Sequence, residues 1–331
     1  MSWNLIGHAW AEKILRQHLI SGEVHHAYLF TGAPGVGRRS LALEFARALN
    51  CTNPPIPGEA CGVCSICKHI ALMQQADLHL VAPETDGGMI KVDQIRDLQR
   101  SLILTPYEAS YRIALLLNFQ RANANAQNAL LKTLEEAPRK VILLLTADST
   151  ESLLPTISSR CEILRLRPTS IETLTSVLSE QEKLSPEKAA LYAHISNGRP
   201  GIALHLARDP KTDEKRADWI NTLHEVLGYS IRQKMKLSES MNKDKNNDPL
   251  TDIIQVWTSF MRDILLVQQA KPASVVNIDY SKQLSDYAGQ FNREQVLAFI
   301  QELMKCLELI EINANPRLML DNLFLTIPAA K

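Results

Sequence analysis

The sequence predicts an α/β fold, a parallel-sheet sandwich followed by a wholly helical remainder, and three observations lead there. Nearly continuous apolar runs (27–31, 78–82, 112–117, 141–146 and 161–166) alternate with helix-patterned segments, the pattern of parallel strands covered on both faces. A glycine-rich loop, Gly32-Ala-Pro-Gly35-Val-Gly37-Arg38, joins the first run to the first long helical stretch. Beyond Pro168 the strand-like runs stop.

The first strand, Ala27-Tyr-Leu-Phe-Thr31, leads into that loop, and a helix from about Arg39 to Asn50 follows it. Strand, glycine loop and helix in this order form a cradle for phosphate. A working loop carries Lys and then Ser or Thr, for the terminal phosphates and the magnesium ion; here those positions hold Arg38 and Arg39. Gly32, Pro34, Gly35, Gly37 and Arg38 are therefore read as a degenerate phosphate loop. Its backbone N–H groups still form an anion site, so weak phosphate binding and a vestigial pocket both stand as readings, the second favoured. Arg38 replaces a compact ammonium with a planar fork that crowds such a pocket.

Four of the six cysteines follow as Cys51-x9-Cys61-x2-Cys64-x2-Cys67 in a loop rich in Pro and Gly. Closely spaced thiolates in a turn-forming segment suit a tetrahedral zinc ion, and four of them leave no open position for water. A structural zinc is expected at Cys51, Cys61, Cys64 and Cys67, with reduced thiols or a redox pair as the alternatives. Cys161 and Cys306 stand alone in apolar surroundings and read as inert buried thiols.

Next come a helix with Val92, Ile95, Leu98 and Leu102 on one face, an Ala- and Asn-rich helix through Glu136, and a short helix before Cys161. The expected division is a nucleotide-binding-like domain over 1–167 with its zinc module at 51–67, a helical lid over 168–210, and a helical domain over 211–331. Pro210 and the charged run Lys211–Arg216 are read as the joint between the last two. In the third part, Ile253, Trp257, Phe260, Met261 and Ile264 line one face and Val296, Ile300, Leu303, Leu307 and Ile310 another, each read as core.

Lys plus Arg equals Asp plus Glu at 36 each, which excludes a global positive field and strong independent binding to DNA. The N-terminus lacks the pattern of a signal peptide and no stretch is long enough to span a bilayer, so a cytoplasmic protein is expected.

Four ordered segments, His26–Gly32 leading into the loop, the four-cysteine insert after the first helix, Gln127-Asn-Ala-Leu-Leu-Lys-Thr-Leu-Glu-Glu136, and Ser159-Arg160-Cys161, together resemble the bacterial clamp-loader AAA+ ATPases, which load the sliding clamp of DNA polymerase III. The likeness is strong over residues 1 to about 210 and weaker beyond. It implies that 211–331 is a collar holding a ring of subunits together. The chain departs from the active pattern wherever hydrolysis is performed. The family's magnesium-holding Asp and water-orienting Glu fall on Leu117 and Asn118, and its second sensor Arg falls on Gly201, with Arg199 two residues away. Phosphoryl transfer depends on positioning and charge neutralisation, so no ATPase activity is expected from the isolated chain.

The tripeptide of Ser159 and Arg160, by the same resemblance, carries an arginine finger offered in trans to ATP bound by a neighbour. The combination implies a non-hydrolysing clamp-loader subunit with gamma/tau ATPase subunits and a delta subunit as partners, the sliding clamp and primer-template DNA being reached through the complex, and polymerase activity residing elsewhere in the holoenzyme. A catalytically active gamma/tau-like ATPase and an AAA+ adaptor outside replication are the alternatives.

Overall fold

In a computed structural model of the chain, residues 3, 5–85, 88–243, 250–271, 274–311 and 314–327 are described. They form two compact units, Met1–Thr173 with Gly198–Gly201, and Leu174–Asn197 with Ile202–Lys331.

In the first unit α1 (Ala9–Ser21), β1 (Ala27–Thr31), α2 (Arg38–Asn50), α3 (Ser65–Ala71), β2 (Leu78–Val81), α4 (Val92–Leu102), β3 (Arg112–Leu116), α5 (Ala124–Glu135), β4 (Val141–Ala147), α6 (Pro155–Ser158) and β5 (Glu162–Arg165) follow one another. The strands form one parallel sheet in the order β2-β3-β4-β1-β5. Its period of two sorts the apolar side chains onto two cores. Tyr28, Phe30, Ile113, Leu115, Ile142 and Leu144 pack on one face with Leu41 and Phe45 of α2. Ala27, Leu29, Ala114, Leu116, Leu143 and Leu145 pack on the other with Ile95 and Leu98 of α4 and Leu130 of α5. This is why β1, β3 and β4 read as unbroken apolar runs: neither of their faces meets water, whereas the edge strands β2 and β5 are partly exposed. β1 lies between β4 and β5, so the glycine loop opens at the carboxyl end of a central strand, where open α/β sheets bind ligands.

One buried carboxylate organises the rim of this sheet. Asp77, fully buried ahead of β2, accepts backbone N–H bonds from Tyr107 (2.7 Å), Glu108 (2.9 Å) and Ala109 (3.0 Å) and pairs with Arg112 at 3.2 Å. Arg112 also donates to the carbonyls of Ser101 and Thr105, closing the loop between α4 and β3. Burial by itself raises the Asp77 carboxyl, but the three N–H bonds outweigh it and hold it down to about 2. A carboxyl held below its unfolded value near 3.9 stabilises the fold above that pH, and this stability is lost as pH falls from about 4 towards 2. Asp77→Ala should lower the unfolding free energy at pH 7 by about 2–3 kcal/mol in urea titrations, because it also leaves N–H groups unpaired. The gap to the parent should narrow as pH falls from about 4 towards 2; a gap independent of pH contradicts the assignment.

The second unit is helical: most of α7 (Ile171–Gln181), α8 (Pro186–Ile195), most of α9 (Pro200–Arg208), α10 (Pro210–Gly228), α11 (Ile231–Lys243), α12 (Leu250–Gln268), α13 (Ser281–Gln290), α14 (Arg293–Glu311) and α15 (Pro316–Leu325). Ile253, Trp257, Phe260, Met261 and Ile264 of α12 are buried as their spacing predicts, against Val296 and Leu303 of α14 and Phe324 of α15. On α14 Phe299, not read from the spacing, is fully buried, whereas Ile300, Leu307 and Ile310 are only partly buried. Trp257 Nε1 finds the Trp219 carbonyl at 2.8 Å. The charged run at 211–216 is not a linker but the opening of α10, with Pro210 in its first turn and Asp209 capping the Lys211 N–H at 3.2 Å. Arg216 ends that run buried, its guanidinium held by Asp279 at 2.8 and 3.0 Å and by Asn277 at 2.7 Å. Burial pushes the Cys306 thiol up to about 11 and Cys161, in the first unit, up to about 12, consistent with inert thiols. Among the described residues no helix is long and apolar enough to cross a membrane.

Candidate functional site

The glycine loop is built as its sequence requires. Gly32, Gly35 and Gly37 have φ of 147°, 84° and 106°, and a Cβ at Gly32 would lie 2.4 Å from the Leu166 carbonyl oxygen, so the turn tolerates no side chain there. Gly37 precedes the first turn of α2, and Pro34 is exposed at the crest of the loop. Arg39 points its half of the motif into solvent.

Arg38 is buried and already engaged. Its Nη1 donates to Asp148 Oδ1 at 2.7 Å and its Nη2 to Asn118 Oδ1 at 3.4 Å. Asp148 is held on its other oxygen by Gln120 Nε2 at 2.9 Å. The guanidinium that stands in place of the usual lysine is thus neutralised by an acid of its own chain and held by two of its side chains. Asn118 adopts φ 52° just past β3 and ties its N–H to Thr146 Oγ1 at 2.8 Å, while Leu117 is buried in the core. Neither residue offers a carboxylate to a metal ion.

Gly201 lies against the same loop. Its N–H donates to the Gly35 carbonyl at 2.8 Å, and a Cβ at 201 would sit 3.0 Å from that oxygen. The bond ties this backbone to the loop through a carbonyl and leaves the loop's N–H donors, which an anion would use, untouched. Arg199 is half-buried.

The four cysteines converge as their spacing predicts. The sulfurs of Cys51, Cys61, Cys64 and Cys67 all lie within 4.8 Å of one another, with Cys61 and Cys67 at 4.0 Å. A tetrahedral ion with Zn–S near 2.3 Å places its sulfurs about 3.8 Å apart, so the donor set fits zinc. Backbone N–H groups also point at the sulfurs: Cys61 N to Cys51 at 3.2 Å, Cys64 N to Cys61 at 3.3 Å and Cys67 N to Cys64 at 3.4 Å. The bond from Cys64 pulls the Cys61 thiol down, towards the thiolate that a metal needs. If zinc is bound there, these four residues hold it and it cross-links residues 51–67; a filled tetrahedron offers no catalytic position.

Arg160 stands apart from both features. It follows α6, about one-third exposed, with Nη1 on the Thr156 carbonyl at 2.9 Å and Nη2 on Glu135 Oε1 at 2.6 Å. Ser159 is turned to the Thr156 carbonyl at 3.3 Å and meets Arg160 Nη1 at 3.5 Å. Gln127 fixes α6 to α5, accepting the Leu154 N–H at 2.9 Å and donating to the Ala122 carbonyl at 3.0 Å.

Two acids missed by the sequence reading, Asp148 and Glu135, are the partners of the two arginines it singled out. Asp148 could have been found as the acid just beyond the buried end of β4, beside the glycine loop. Glu135 lies inside the stretch Gln127–Glu136, but nothing in that stretch signalled its pairing with Arg160.

Two family models match the chain, "DNA polymerase III, delta subunit" over residues 7–170 and its C-terminal counterpart over 210–328. The DNA polymerase III subunit delta-prime of Pseudomonas aeruginosa is 31% identical over 298 residues, covering 87% of this chain and 88% of that protein. The chain belongs to the delta-prime family of DNA polymerase III subunits. The delta-prime subunit of Bacillus subtilis is 28% identical over 318 residues, covering 95% of this chain and 94% of its own. Among solved structures, a DNA polymerase III gamma subunit-related protein from Thermotoga maritima aligns with a TM-score of 0.51 at 17% identity, over 95% of this chain and 97% of that one. That likeness concerns the fold, which delta-prime and gamma-related chains share.

Proposed function

We propose that this delta-prime-family chain is the non-hydrolysing subunit of a clamp loader, which lends Arg160 to ATP bound by a neighbouring gamma/tau-type subunit. One contrast carries the reading. Both arginines are paired with an acid, Arg38 with Asp148 and Arg160 with Glu135, but Arg38 is buried at 8% exposure whereas Arg160 is about one-third exposed at the end of a helix with N–H donors to spare. The missing lysine, hydroxyl and acidic pair support a pocket that does not turn over nucleotide.

In this reading residues 1–167 form the nucleotide-binding-like domain, 168–210 the lid and 211–331 the collar that holds the ring. A delta-type subunit and gamma/tau-type ATPases complete a cytoplasmic assembly that places the sliding clamp on primed DNA. Zinc at the cysteine cluster is structural.

The isolated chain should hydrolyse ATP no faster than buffer in a coupled phosphate-release assay, and Arg38→Ala should change nothing. A clear rate that Arg38→Ala abolishes would make the chain an active ATPase instead. Clamp loading by a mixture of this chain with gamma-type, delta-type and clamp proteins of the same cell tests the assembly, and loading that proceeds equally without the chain contradicts it.

A further inference from the structure

Arg160 is not a loose side chain. Glu135, the last residue of α5, holds one end of its guanidinium at 2.6 Å, and the Thr156 carbonyl of α6 holds the other at 2.9 Å. The two helices are fixed to each other by Gln127, which bonds the Leu154 N–H at the start of α6 and the Ala122 carbonyl ahead of α5. Both anchors therefore belong to one rigid corner of the sandwich.

We propose that Glu135 is a positioning residue for Arg160, fixing the plane of the guanidinium so that its unused donors face outward together. This role rests on the reading of Arg160 as a finger. Arginine has five N–H donors. Nη1 is taken by Thr156 and Ser159 and one hydrogen of Nη2 by Glu135, which leaves Nε and the second hydrogen of Nη2 for phosphate oxygens. A flexible arginine must be ordered each time it meets a phosphate, whereas one anchored at both ends is ordered in advance. Stability does not explain the pair, since Glu135 is about half exposed and such surface ion pairs contribute little to folding. Glu135 also lies 25 residues from Arg160, so no local turn enforces the contact. The opposite role, a carboxylate that withholds the guanidinium from phosphate, gives the opposite sign in the same assay.

The test uses the complex reconstituted from this chain with its gamma-type and delta-type subunits, and reads kcat and KM for ATP together. Glu135→Ala should lower kcat at the site facing this subunit by roughly 10- to 100-fold, the scale of a misplaced catalytic group, with little change in KM, and the total rate of the complex should fall by no more than in Arg160→Ala. Glu135→Gln, which keeps an acceptor oxygen at the same reach, should fall less. In the Arg160→Ala background, Glu135→Ala should add nothing, because its effect passes through Arg160. Size-exclusion and melting profiles of the exposed-site variants should match the parent.

An unchanged or raised kcat in Glu135→Ala overturns the inference, as does a further loss of equal size in the Arg160→Ala background. Full activity of Arg160→Ala is a different result: it overturns the finger reading itself, and Glu135's role falls with it.

Discussion

Replacing Arg160 with alanine should slow ATP hydrolysis at the site facing this subunit by on the order of 10³-fold, the lower end of what a guanidinium on a transferring phosphoryl group provides in other nucleotide hydrolases. The total rate of the complex falls by the share that this site contributes. Assembly should be unaffected, because the Arg160 side chain bonds only Thr156, Ser159 and Glu135 among the described residues and lies outside both apolar cores of its unit. Arg160→Lys should recover little, since a single ammonium cannot reproduce the planar fork held between two helices. The measurement is phosphate release by the reconstituted complex, with assembly followed by size-exclusion chromatography. A rate equal to the parent's would make Arg160 a surface residue of no catalytic consequence to its neighbour.

The second large effect concerns the cysteine cluster. Cys64→Ser should release zinc, measured as loss of one metal per chain, and lower the melting temperature by about 5–10 °C, each ~1 kcal/mol being worth roughly 2–4 °C in a domain of this size. The reason lies in what else holds residues 51–67. Ile66 and Ile70 of α3 reach the core, and Arg16 pairs with buried Glu59 at 3.1 Å. Ile56 and Val63, by contrast, are exposed. The loop ahead of α3 thus has few apolar contacts of its own, and the four sulfurs are its main cross-link. A chelator should reproduce the shift in the parent and leave Cys64→Ser unmoved. Equal melting with and without chelator would make the cluster dispensable.

Much of this fold was legible because its signals are local. Runs such as Val141–Thr146 contain nothing polar before their end, and a strand of that kind belongs in the middle of a covered sheet, where β4 lies. The cysteine spacing, the glycine loop and the helical faces of α12 and α14 were read the same way, from neighbours in sequence. What escaped was long-range pairing of charge. Arg38 meets Asp148 across 110 residues, and Asp77 meets a loop 30 residues on, and no periodicity encodes such contacts. The run Lys211–Arg216 hid a further such pair, since nothing in a charged stretch signals that its last residue is buried on Asp279 and Asn277. The site residues Arg38 and Arg160 were found, but not the acids that set their opposite conditions, one engaged in its own pocket and the other braced at a helix end.

The most direct test is the structure of the assembled complex with a non-hydrolysable ATP analogue bound to the subunit beside this chain. The expected result is the Arg160 guanidinium within hydrogen-bond reach, about 3 Å, of the neighbour's γ-phosphate, while Arg38 stays on Asp148 in a loop without nucleotide. Magnesium and nucleotide seated in this chain's own loop, or Arg160 facing no other subunit, would contradict the account.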